Sequence, residues 1–205
     1  MDLTNLPIGW FDFAAVIFLM VGVLRGRKHG MSQELLLVVQ WICIYVACLF
    51  GYVPLGTFFS QSTVFSLLFS NILMFVTIAL VVRVFFGLVK RALGGKLLGS
   101  DMFGSGEYYL GMCAGFVRYT IILFWLLALL NARLVTTPEL QAMEKFQVEN
   151  YGKVYFPGVP QLQQQIFKAS FFGELIKKHL SMLLMEPVVA EKKQLHQKEW
   201  NMPGA

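Results

Sequence analysis

Hydrophobic residues come in long blocks along this chain, separated by short polar stretches. Four apolar blocks, at about 10–24, 35–53, 64–86 and 108–130, read as membrane-spanning helices. A helix needs roughly 20 residues to cross about 30 Å of hydrocarbon, and the last three blocks meet that alone. The first is short and carries Asp12, so Pro7 and Ile8, or a snorkelling Arg25, must complete its crossing. After the fourth block the pattern changes. The stretch FKASFFGELIKKHLSMLLM is amphipathic at helical spacing, with Ser170, Glu174, Lys177, Lys178 and Ser181 on one face. Phe171, Phe172, Leu175, Ile176, Leu180 and Leu183 fall on the other. This pattern predicts a helix over about 162–186 that lies in the membrane interface or packs on a partner, ended by Pro187. The final EKKQLHQKEWNMPGA reads as a mobile tail.

Composition supports the same class. The chain is 57% hydrophobic and 14% charged, with a mean hydropathy of +0.62. Soluble domains average about 25% charged residues. The expected fold is therefore an all-α integral membrane protein with four transmembrane helices plus a C-terminal amphipathic helix. Residues 1–132 form the transmembrane domain and 133–205 an extracytoplasmic tail.

The net charge of +5 changes the picture only through its placement. Basic residues flank the apolar blocks instead of interleaving with aromatics, which argues for topology and anchoring and against nucleic acid. Arg25, Arg27 and Lys28 follow block one, and Lys90, Arg91 and Lys96 follow block three. The connection GYVPLGTFFSQST between blocks two and three carries no charge. Basic loops stay cytoplasmic, so both termini are expected on the periplasmic side. No basic residue precedes the first block, and RGRK follows it, the reverse of a cleaved signal peptide.

Ionisable residues inside apolar blocks are the candidate chemistry. Arg118 lies in the fourth block, and Glu107, Gly111, Ala114, Gly115 and Arg118 fall within about a third of a helix circumference. Trp125 continues that face. In the first block and its continuation, Gly22, Gly26 and Gly30 recur at four-residue steps, with Asp12 and Ala15 near the same face. Small residues let helix backbones approach closely in lipid, so spans one and four are expected to pack antiparallel along these stripes. A lone charge at mid-bilayer costs at least about 2.5–3.5 kcal/mol, so Arg118 calls for a partner. Glu34, Glu107, carbonyls of the first span and Asp12 are the candidates. Arg83 sits near a span end, where snorkelling accounts for it. Gln40, Asn71 and Asn131 suit hydrogen bonds between helices.

Other chemistry finds little support. Cys43, Cys48 and Cys113 lie in apolar segments without metal or redox spacing and read as small buried hydrophobes. The run GGKLLGSDMFGSG lacks the strand and the ending of a phosphate loop and reads as a flexible re-entry into span four. No hydrolase motif occurs. The chain is therefore not expected to be an enzyme, and no metal or cofactor is expected.

With these residues in view, the chain resembles the colicin V production protein (CvpA) family over about residues 10–131, and more loosely in the tail. The likeness rests on Asp12 in GWFDFAAVIF and on Gly22, Arg25, Gly26, Gly30 and Glu34 in GVLRGRKHGMSQE. It continues with Glu107, Gly111, Gly115 and Arg118 in EYYLGMCAGFVR. The family often has Asp where Glu107 stands, and a glycine where Tyr119 follows the arginine. The resemblance implies four spans and a bacterial inner-membrane protein needed for colicin V production or export. Similar segments also occur fused to extracytoplasmic serine protease domains. It implies no catalytic residues. The expected role is toxin production or export, or envelope homeostasis, as a scaffold, anchor or channel component. The alternative is a small transporter or channel using the Asp12, Glu34, Glu107 and Arg118 stripe. The expected partners are the lipid bilayer and either another protein or further copies of this chain.

Overall fold

The computed structural model describes residues 9–93, 104–135, 140–142, 145–146, 149 and 158–189. The expectations for Pro7 and Ile8, for most of the glycine-rich run before the fourth block and for the final tail lie outside these residues. Within them the chain is almost entirely helical. Helix α1 covers Trp10–Ser62, α2 covers Leu67–Leu93 and α3 covers Glu107–Asn131. Two shorter helices follow, α4 at Val159–Ala169 and α5 at Phe171–His179. Among the described residues, α1, α2 and α3 are long and apolar enough to cross a membrane.

At 53 residues, an unbroken α1 would run about 80 Å, far beyond any bilayer. It is broken at Gly30, whose φ of 74° and ψ of 169° leave the helical region. Only glycine adopts such a backbone cheaply. The partners on α3 show what the break does. Gly22 faces Tyr119, Gly26 faces Gly111 and Gly115, and Gly30 faces Glu107, so residues 10–29 run antiparallel to α3. Past the break, Glu34 meets Arg118 and Trp41 meets Trp125, so residues 31–62 run parallel to it. The chain thus doubles back at Gly30.

The second half of α1 then pairs antiparallel with α2. Cys48 donates to the Phe75 carbonyl at 3.2 Å, the Asn71 side chain lies against Gly56, and Phe59 stacks on Phe65. Four antiparallel rods result, and α3 is the most enclosed of the long helices while α2 is the most open. Their shared core joins Phe11, Ala15, Ile44, Cys48, Tyr52, Phe75, Leu127 and Ala128.

Two connections differ from the expected loops. The basic stretch after block one stays helical up to the single break at Gly30. The uncharged stretch after block two is helical to Ser62, across Pro54. A bilayer offers no water to free backbone groups, so helix continues wherever side chains permit it. Here Thr57 adds to the local bonding by donating to the Val53 and Pro54 carbonyls, both at 3.0 Å. Cys113 also departs from expectation. It is exposed on the outside of the bundle, and Cys43 is half-buried, whereas Cys48 is fully buried.

The amphipathic stretch expected as one helix over about 162–186 is two, α4 and α5, followed by a 3₁₀ turn at Ser181–Leu183. The division falls at Ser170, where the chain is extended. Its hydroxyl accepts from Gly173 N–H at 3.1 Å and donates to the Ile166 carbonyl at 2.8 Å. A Cβ at position 173 would collide with that carbonyl, so the corner closes only around glycine. Beyond the 3₁₀ turn the chain runs extended, and Val188–Val189 (β2) pairs in parallel with Arg133–Leu134 (β1).

Candidate functional site: the α1–α3 clasp and its buried ion pair

The two glycine stripes meet face to face. A Cβ on Gly111 would sit 2.5 Å from the Gly26 carbonyl oxygen and 2.9 Å from Gly30 Cα. Cβ atoms on Gly26 or Gly115 would likewise strike backbone of the opposing helix. These are main-chain collisions that no side-chain rotation relieves. The stripes are what permit the approach. One level further along, Tyr119 takes the place of a small residue. Its ring fills the space over Gly22, where an added Cβ would lie 2.7 Å from Tyr119 Cβ, and it rests on Phe18. A bulky residue on α3 is thus accommodated by glycine on α1.

Close approach brings the charges together. Arg118 Nη1 donates to Glu34 Oε2 at 2.5 Å, with Glu34 fully buried and Arg118 6% exposed. Helical side chains lean toward the N-terminus of their own helix, which carries the guanidinium from α3 toward the Gly30 end. The carboxylate sits in the first turn after the break, where the helix N-terminus favours negative charge. Glu34 Oε1 lies 3.0 Å from His29 Nδ1, on the other side of Gly30. Of the partners considered for Arg118, the guanidinium meets Glu34. Its Nε has no partner among the described residues, and its face lies over the Tyr119 ring at 5.0 Å.

Glu107 serves the same reversal from α3. Its Oε1 accepts from Ser32 N–H at 3.1 Å, one of the free donors at the start of the second half of α1. Its side chain packs against Gly30. The other oxygen, Oε2, is buried and unpartnered among the described residues.

Asp12 does not join this cluster. It lies at the opposite end of the bundle and caps α5. Asp12 Oδ2 accepts from Phe171 N–H at 3.1 Å and Oδ1 from Phe172 N–H at 3.0 Å. It also accepts from Gly9 N–H at the start of its own helix, at 2.8 Å. Further bonds lace the C-terminal segment to the same end. Asn131 donates to the Met185 carbonyl at 2.9 Å, Tyr45 to the Leu183 carbonyl, and Glu186 N–H to the Tyr52 hydroxyl. Asn131 was expected to bond another helix, and its partner is instead this returning segment. Arg25 was placed with the stripe, but the structure leaves it exposed, because its position turns away from the glycine face.

The faces of α5 are divided. Ile176 is buried against the bundle, and Leu183 is half-buried. Phe171, Phe172, Leu175 and Leu180 stay exposed alongside Lys177 and Lys178. Sequence reasoning missed His29, Tyr45 and Tyr52. His29 carried a weak signal, a histidine and a glutamate flanking a glycine. The tyrosines bond backbone groups more than 130 positions away, the Leu183 carbonyl for Tyr45 and the Glu186 N–H for Tyr52, which no local pattern announces.

Antiparallel apolar helices joined by a close, glycine-lined contact with an internally paired charge define a multi-pass helical membrane protein. The chain belongs to the family described as Colicin V production protein, whose model matches residues 11–148. With the membrane-spanning helices, this makes it a multi-pass inner-membrane protein. No curated protein and no solved structure matches it.

Proposed function

We propose that this protein crosses the bacterial inner membrane four times and acts as a scaffold or anchor in toxin production or export, or in envelope homeostasis. The two halves of α1 supply two of the crossings, and both termini lie on the periplasmic side. The observation that carries the scaffold reading is the internally closed Arg118–Glu34 pair within a backbone-tight clasp. A charge pair spent on holding two helices together is suited to fixing a shape, and no reaction is assigned to it. The protein is read as non-catalytic, acting through a protein partner or further copies of itself. The exposed aromatic and basic residues of α5 suit a helix resting on the membrane surface, next to the end where Asp12 holds it.

A second reading, a small transporter or channel, draws support from one feature. Arg118 Nε and Glu107 Oε2 are buried without partners among the described residues, as groups awaiting a solute or water would be. Flux assays on the purified chain in liposomes separate the readings. Scaffold action predicts no ion or solute flux above empty vesicles. Flux that Arg118→Met abolishes in a still-folded protein would overturn it.

A further inference from the structure

At the Gly30 end, outside the clasp, a shallow groove of about 670 Å³ runs between the first half of α1 and the start of α3. It is lined by Leu24, Arg27, Lys28, Tyr108, Tyr109 and Met112. On both walls the chemistry changes in the same order. Arg27 and Lys28 sit toward the end of the first rod, with Leu24 about one turn deeper. Tyr108 and Tyr109 open α3, with Met112 about one turn deeper. Cationic and hydroxyl groups thus ring the outer part, and apolar side chains the part nearer the bilayer centre. Arg27, Lys28, Tyr108 and Tyr109 are all exposed, and none of their side chains has a hydrogen bond or ion pair within the described residues. The nearest carboxylate on α3, Glu107, is turned the other way, onto Ser32 and Gly30.

We propose that this groove binds one anionic phospholipid of the adjoining leaflet. Its phosphate meets Arg27 and Lys28, the tyrosine hydroxyls donate to headgroup oxygens, and an acyl chain follows Leu24 and Met112. Charge complementarity favours an anionic headgroup over a zwitterionic one. The depth ordering favours a lipid over a soluble anion, because a free phosphate has no use for the apolar inner part. Aromatic residues with a polar tip belong at this level of the membrane.

The test is native mass spectrometry of the full chain released from micelles holding equal phosphatidylglycerol and phosphatidylcholine. The wild type is expected to retain one phosphatidylglycerol preferentially. The R27Q/K28Q variant should lose that preference by roughly 25-fold, at about fivefold per cation removed, while Arg27→Lys keeps most of it. Lys90 and Arg91 are exposed cations at the end of α2, and K90Q/R91Q should leave the preference intact. Far-UV circular dichroism verifies that each variant is folded. Equal retention of the two lipids, or an equal loss in K90Q/R91Q, overturns the proposal. Displacement of the lipid by millimolar inorganic phosphate also overturns it, since the ligand would then be a free anion.

Discussion

Arg118→Met removes the guanidinium while keeping much of the side-chain volume, and its cost follows from what is left behind. Glu34 is fully buried, and after the change its remaining side-chain partner is His29, 3.0 Å away and about one-third exposed. Breaking one side of a buried pair typically costs about 3–5 kcal/mol, because the other charge stays desolvated. Glu34→Gln strands Arg118 in the same way, and its amide recovers part of the loss by accepting one bond. Substituting both removes both stranded charges. The double variant should therefore lose less than the sum of the singles by about 2–3 kcal/mol, the coupling expected of directly paired groups. The assay is equilibrium unfolding of the full chain in mixed micelles at rising fractions of denaturing detergent, followed by circular dichroism. His29→Asn serves as a reference and should cost under about 1 kcal/mol, since its side chain is partly open to solvent. If Arg118→Met unfolds within about 0.5 kcal/mol of wild type, or the two changes add, the pair does not hold the clasp and the reasoning fails.

Gly26→Ala places a methyl group against Gly111 backbone and 2.9 Å from Gly115 Cα. It should destabilise by about 1–3 kcal/mol or more in the same assay, whereas Gly87→Ala, with nothing within 4 Å, should be neutral or stabilising by up to about 1 kcal/mol. Asp12→Ala removes the cap on α5, costing about 0.5–2 kcal/mol locally. Hydrogen exchange at the Phe171 and Phe172 amides should then accelerate while exchange in α3 is unchanged, and unchanged exchange at both amides would refute the cap.

The glycine steps and Arg118 were legible in the sequence because small residues at helical spacing carry one physical meaning in lipid. Their antiparallel contact in the structure follows that spacing. Glu34 was legible as one candidate partner among several, because it falls a turn beyond the last glycine. The Gly30 reversal was not legible in detail. A run of charges reads as a loop, yet Arg25, Arg27 and Lys28 sit on helix, and a single positive φ makes the whole turn. Asp12 was misplaced for a different reason. Its helical phase puts it near the glycine face, but its partners are amides about 160 positions away. The break at Ser170 depends on the room left beside Gly173 by the Ile166 carbonyl, a three-dimensional fact inside a stretch whose apolar periodicity continues unbroken.

Whether the first helix doubles back across the bilayer is tested most directly by single-cysteine labelling with a membrane-impermeant reagent. Cys43, Cys48 and Cys113 are first replaced by alanine, and one cysteine is returned at an exposed position, Lys28, Gln61, Arg91 or Glu186. Positions 61 and 186 are expected to react from the periplasmic face of intact spheroplasts, and positions 28 and 91 only in inverted vesicles. Reaction of positions 28 and 61 from the same face would contradict the doubling back.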